Sequence, residues 1–151
     1  MKAVQYFTIA GQFAMQRGHL VSPTVAFETW GTLNAAADNA VLIFTGLSPS
    51  AHAASSALDP AAGWWEDMIG PSKPLDSERY FIICINSLGS CFGSTGAASI
   101  DPDTQQPYRL NFPVLTVEDI ANSACQVLDH LGIAQLHTVV GASMGGMTAL
   151  A

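Results

Sequence analysis

Basic residues are scarce in this chain. Lys and Arg total 5 against 12 Asp and Glu, for a formal net charge of −7. The few cations stand singly, so no patch can neutralise a phosphate backbone, and nucleic-acid binding is excluded. Charge of either sign is sparse, at 11% of residues, while 49% are hydrophobic. That balance excludes disorder as the main state. Long apolar runs are missing as well. A stretch such as Val41-Leu42-Ile43-Phe44 is far too short to span a bilayer, so no membrane partner is expected. Residues 1–20 hold one Lys before Gln5, Thr8 and Gln12 interrupt the apolar positions, which is not a secretory signal. A cytoplasmic location follows as the expectation. Cys84, Cys91 and Cys125 have no CxxC spacing and read as reduced thiols. Cys84 and Cys125 are expected in the core, and Cys91 in a glycine-rich loop. No His or Cys pair has metal-ligand spacing, so no metal is expected. Gly89–Gly96 is not followed by Lys-Ser or Lys-Thr, which excludes a phosphate-binding P-loop.

What is present has the rhythm of a mostly parallel sheet. Residues 1–9 and 20–30 alternate in β fashion, and Val21, Val25, Phe27 and Thr29 share a parity. An antiparallel pair with one wet face is the expectation there. His19 falls in an expected turn. Ala40–Phe44 and Tyr80–Asn86 are continuous apolar runs of the kind a strand buried on both faces requires. Residues 50–79 and 87–113 are rich in Gly and Pro and read as loops. Thr116 predicts an N-cap, with Glu118 and Asp119 in the first turn. Ile120, Ala124, Val127, Leu128 and Leu131 recur at helical spacing and predict one buried face, closed by Gly132. His130 and His137 flank the end of this helix and the start of the next strand, where exposed tips are expected. His52 lies in a loop at the sheet edge where ligands bind, with a solvated loop histidine as the plainer reading.

The chemistry concentrates in Val139-Val140-Gly141-Ala142-Ser143-Met144-Gly145-Gly146-Met147. Two β-branched residues run into Gly-x-Ser-x-Gly, and a helix-compatible stretch follows. This is the nucleophile-elbow pattern, in which a strand turns sharply at a serine into a helix. Gly141 and Gly145 flank the turn because a side chain at either place would collide across it. The helix start behind Ser143 would favour developing negative charge. A bare Gly-x-Ser-x-Gly also arises in ordinary strand-to-helix turns; the apolar strand in front of it strengthens the catalytic reading.

Larger blocks of the chain carry a resemblance. Phe27-Glu28-Thr29-Trp30-Gly31-Thr32-Leu33-Asn34, Gly63-Trp64-Trp65, Ile69-Gly70-Pro71, Asn86-Ser87-Leu88-Gly89-Ser90-Cys91 and Gly93-Ser94-Thr95-Gly96 join the elbow. Together they resemble the homoserine O-acyltransferase family of the α/β-hydrolase fold, from about residue 20 onward. The resemblance implies Ser143 as nucleophile toward an acyl-CoA co-substrate, with no bound cofactor. It implies the backbone N–H groups of Leu47 and Met144 as the oxyanion hole. Gly46, Leu47, Ser48 and Pro49 would line the acceptor site as specificity residues. Two departures stand out: Thr45-Gly46-Leu47-Ser48-Pro49, where many members read His-Ala-Leu-Thr, and Ser90, where the acetyltransferases usually have Gly. Both look more like the serine O-succinyltransferase members. The expected activity is therefore succinyl transfer from succinyl-CoA to L-serine or L-homoserine, in cysteine or methionine biosynthesis. Homoserine O-acetylation with acetyl-CoA, a generic esterase and a non-catalytic truncated product are the alternatives. In this fold the acid and histidine of the triad follow the serine along the chain. Residues 1–151 therefore read as a partial domain, the N-terminal half, cut just after the elbow. Full-length relatives are expected to be homodimers.

Overall fold

The computed structural model describes residues 3–151. Its strands are β1 (Gln5–Thr8), β2 (Gln12–Met15), β3 (Gly18–Val21), β4 (Thr24–Trp30), β5 (Ala40–Phe44), β6 (Ile69–Gly70), β7 (Leu75–Asp76), β8 (Phe81–Ile85) and β9 (Thr138–Gly141). Its helices are α1 (Val117–His130) and α2 (Met144–Ala149), with a 3₁₀ turn at Arg109–Asn111. The main sheet has the order β1-β4-β8-β5-β9. β1 and β4 run antiparallel to their neighbours, whereas β8, β5 and β9 run parallel.

The apolar runs occupy the middle of this sheet because both of its faces are covered. On β5, Ala40, Leu42 and Phe44 point to one face, where Ile83 and Ile85 of β8 join Ile120, Ala124, Val127 and Leu128 of α1. Val41 and Ile43 point the other way, with Ile82, Cys84 and Trp30, onto a layer built from Ala53, Ala54, Trp64, Trp65 and Ile69. The period-2 alternation of strand side chains thus sorts one continuous hydrophobic run into two cores. Residues 50–79 form the second layer without a helix, and hydrogen bonds hold them in shape. The Glu66 carboxylate accepts from the Ser55 N–H at 2.7 Å, the Ser55 hydroxyl at 2.7 Å and the Gly63 N–H at 3.0 Å. Those bonds, the Gly63 N–H first, hold its carboxyl down at about 2.

The cap of α1 forms as its sequence requires. Thr116 and Asp119 make a reciprocal capping box, and Gly132 sits beyond the helix at φ +71°. Asp119 is fully buried, and its second oxygen accepts the Gln16 N–H at 2.8 Å, tying the β2–β3 hairpin to the helix.

Several expectations fail here. β1 and β4 do pair antiparallel, but β4 has no wet face: Val25, Ala26, Phe27 and Glu28 are all buried. The reason is that the 50–66 segment packs on Glu28 and Trp30, and the loop at Gly93–Ser94 packs on Ala26. Residues 20–30 are not one strand either. Ser22, at φ 46°, and Pro23 break the run, and the part before them pairs with β2. His19 therefore lies in β3, opposite Ala14, rather than in a turn. Cys125 is exposed, not core, because it follows Ala124 and points about 100° away from the buried face of α1. Cys84 is buried as expected, and burial first, then the charge of Glu28, pushes its thiol up. Met1 and Lys2, within the expected first strand, lie outside the described residues.

Candidate active site

Three parallel strands carry the site to their carboxyl edge. β9 pairs with β5 so that Gly141 lies opposite Phe44, which brings the residues following both strands side by side. Ser143 takes φ 57° and ψ −127° between β9 and α2. A non-glycine residue held there stores on the order of 1–3 kcal/mol of strain. The surrounding packing imposes it. A Cβ on Gly141 would lie 2.1 Å from the Gly145 carbonyl oxygen, and one on Gly145 would lie 2.3 Å from that of Phe44. Only glycine permits the first turn of α2 to press against the ends of β9 and β5. The Ser143 side chain is exposed, and its hydroxyl has no hydrogen-bond partner among the described residues.

The 45–49 loop leaves β5 directly beside the serine. A Cβ on Gly46 would be 3.7 Å from the Ser143 Cβ, so the loop and the elbow are in van der Waals reach. The backbone N–H groups of Leu47 and Met144 find no acceptor among the described residues. Two unpaired donors flanking an unpaired hydroxyl are the arrangement that can receive an oxyanion. A cleft of about 200 Å³ opens alongside, lined by Leu47, Met144, Ser87, Ser90, Leu115 and Ile120 among others. Among the described residues, every side chain lining it is apolar or neutral.

None of the four histidines is placed as a partner for Ser143. His130 stacks on Phe7 and His137 lies against Tyr80, both exposed as expected. His52 is not a solvated loop residue. Its Nδ1 lies 3.0 Å from Oε2 of the buried Glu28, and its Nε2 lies 2.9 Å from the Ala61 carbonyl oxygen. Burial alone would lower the pKa of His52, but the Glu28 hydrogen bond, the Ala61 carbonyl and the charges of Glu28 and Asp59 together raise it. With both nitrogens facing acceptors, this ring staples the loop to β4 and is not free to take a proton from the serine. No group of three or more potential metal ligands occurs among the described residues.

The elbow geometry agrees with the sequence comparison. The profile of the alpha/beta hydrolase fold matches residues 39–151. The chain belongs to the alpha/beta hydrolase fold family. Within this family it is 62% identical over 150 residues to a serine O-succinyltransferase of Litchfieldella anticariensis, spanning 99% of this chain and 41% of that protein. It is 58% identical to an L-serine/homoserine O-acetyltransferase of Streptomyces lavendulae, over 99% of this chain and 40% of the relative. Among solved structures it superposes on homoserine O-acetyltransferase from Bacillus anthracis with a TM-score of 0.89 at 36% identity, covering 99% of this chain and 43% of that one. Esterase E22 matches equally well, with a TM-score of 0.90 at 38% identity and the same coverage. The chain thus spans about two fifths of the length of the curated relatives it matches.

Ser143, Leu47 and Met144 were legible in the sequence, but two features of this alpha/beta hydrolase chain were not, one at the site and one away from it. One is Asn86, which lies inside a recognised block but carries no motif of its own. The other is the Glu28–His52 pair, whose members are 24 residues apart.

Proposed function

We propose that Ser143 is the nucleophile of an acyl-CoA-dependent O-acyltransferase acting on L-serine or L-homoserine, with succinyl-CoA as the preferred donor. The observation that carries the reading is the elbow. A strained, exposed serine stands against a loop whose Leu47 N–H, like that of Met144, is unspent. The Ser143 oxygen attacks the thioester carbonyl, the carbonyl oxygen becomes an oxyanion held by those two N–H groups, and CoA leaves as the thiol. The acceptor hydroxyl then attacks the acyl-serine ester, gives up its proton, and releases Ser143. One oxyanion donor is worth on the order of 3 kcal/mol in such a transition state. A weak nucleophile like serine also needs a general base. No histidine among the described residues hydrogen-bonds Ser143, so the base and its orienting acid come from sequence outside these 151 residues. The cations that meet the CoA phosphates do not come from the lining of the cleft beside Ser143, which holds none among the described residues.

The names of the relatives support serine or homoserine as acceptor, and the resemblance of Gly46–Pro49 and Ser90 to the succinyl-transferring members supports the succinyl donor. A side-by-side assay of a full-length protein carrying this sequence, with succinyl-CoA and acetyl-CoA and each amino acid, tests this. A higher kcat/KM with succinyl-CoA is expected; a higher value with acetyl-CoA removes the donor assignment. The likeness to esterase E22 favours a second reading, in which water takes the acyl group instead. Hydrolysis of a simple ester faster than transfer to serine or homoserine would select it.

A further inference from the structure

The Gly46–Pro49 loop and Ser90 are 41 to 44 residues apart in sequence. In the structure one buried side chain joins them. Asn86 follows β8 and is wholly shielded from solvent. Its Nδ2 donates to the Pro49 carbonyl oxygen at 3.3 Å and to the Ser90 hydroxyl at 3.0 Å, and its Oδ1 accepts the Ser94 N–H at 3.3 Å. The Ser90 hydroxyl in turn accepts the Phe92 N–H at 3.2 Å. This side of the bridge is firmly built: the Ser94 hydroxyl accepts from the Ala26 N–H of β4 at 2.9 Å and donates to the Asn86 carbonyl at 2.6 Å. The near end of the 45–49 loop is held as well, by a contact of 3.3 Å between the buried hydroxyls of Thr45 and Ser87. Between these two ties lie Gly46, Leu47 and Ser48, whose N–H groups have no acceptor among the described residues.

We propose that Asn86 and Ser90 are positioning residues that set the Leu47 N–H against Ser143. The proposal rests on the reading of Ser143 as nucleophile and Leu47 as oxyanion donor. A primary amide has two N–H groups, and here each has one acceptor. Removing the Ser90 hydroxyl leaves a buried N–H without a partner. The amide then turns to recover one, and Pro49 loses its tie. Loss of that tie lets the loop, and the Leu47 N–H with it, drift from the oxyanion position. A displacement of about 1 Å at such a donor can cost on the order of 100-fold in rate. Because the oxyanion exists only in the transition state, the loss falls on kcat and leaves substrate binding in place.

The test uses a full-length protein carrying this sequence, with Ser90→Ala, Ser90→Thr, Asn86→Asp and Ser143→Ala. Ser90→Ala is expected to lower kcat roughly 10- to 100-fold with KM held within about twofold. The rate of Ser143 phosphonylation by a fluorophosphonate, which also needs a placed oxyanion donor, should fall by the same factor. Ser90→Thr keeps the hydroxyl and should recover most of both. Asn86→Asp, which loses both donors, should be at least as slow as Ser90→Ala. Wild-type kcat in Ser90→Ala, a change confined to KM, or a loss that follows the thermal midpoint and is not recovered by Ser90→Thr would each overturn the proposal. Ser143→Ala separates its two layers. Full turnover there defeats the nucleophile reading itself, whereas an inactive Ser143→Ala beside a fully active Ser90→Ala defeats only the positioning role.

Discussion

At the scale of single residues, polar groups inside this chain are placed by their partners. Glu28 is an acidic side chain in the middle of β4, buried between Cys84 and the 50–63 loop, and Nδ1 of His52 lies 3.0 Å from its Oε2. Breaking such a pair leaves an uncompensated buried charge, which is the costly event. The pair also gives a pH dependence with a definite sign. The groups facing His52 are Glu28 and, at 4.0 Å, Asp59; the neighbouring Cys84 thiol is pushed up and stays neutral. The folded state raises the pKa of His52 above its ordinary 6.5. Its stabilisation is therefore complete below about 6.5 and is lost as pH rises through the raised value. Thermal unfolding followed against pH should show wild type losing stability across that window while His52→Gln does not share the slope. Parallel curves for the two proteins would remove His52 as the source.

Elements in this fold are joined by side chains that reach across long sequence gaps. Helix α1 is set by its apolar stripe, but Asp119 decides how its N-terminus meets the β2–β3 hairpin. Its carboxylate accepts from the Thr116 N–H at 2.9 Å, the Thr116 hydroxyl at 3.1 Å and the Gln16 N–H at 2.8 Å. Asp119→Ala removes a helix cap and orphans the Gln16 N–H together, a loss of about 2 kcal/mol or more. Urea unfolding should move to a lower midpoint, and Asp119→Asn, which keeps one carbonyl oxygen, should move it less. An unchanged midpoint in Asp119→Ala would show that the hairpin and the helix are held by packing alone. The cleft beside Ser143 is lined by Leu115, Thr116 and Val117 at this same helix start, so the cap also shapes the wall of the candidate site.

For the whole molecule, the decisive feature is where the sheet stops. Strand β9 pairs with β5 on one side, and its other edge has no partner among the described residues. Val139 on that strand is exposed, as are Met147 and Leu150 on and beyond α2, the last at 92% of its full area. An open strand edge beside exposed apolar side chains is a template for pairing with another chain. A polypeptide of these 151 residues alone should therefore self-associate, and Val139→Lys should shift it toward monomer. Size-exclusion chromatography with light scattering reads this directly. Monomeric behaviour of the unsubstituted polypeptide would mean that the edge is protected by its own twist or by its ends.

Short windows of the chain encode the features that were readable before folding. The continuous apolar runs of β5 and β8, the cap and apolar stripe of α1, and the Gly-x-Ser-x-Gly elbow were all legible. Each depends on periodicity or on steric limits within a few residues. The blocks around residues 27–34, 63–71 and 86–96 carried the family and, through it, Leu47 and Met144. Which polar groups meet, and which faces close, is set by the packing of distant segments. Nothing local assigns His52 to Glu28, Gln16 to Asp119 or Pro49 to Asn86, at separations of 24, 103 and 37 residues. The same holds for β4, whose alternating pattern suggests one wet face until the 50–66 segment and the Gly93–Ser94 loop cover it. Cys125 shows the converse, since an apolar residue one step off the buried stripe of a helix faces water whatever its own preference. Burying a polar group demands a partner, but it does not say from where in the chain that partner must come, and only the folded chain settles that.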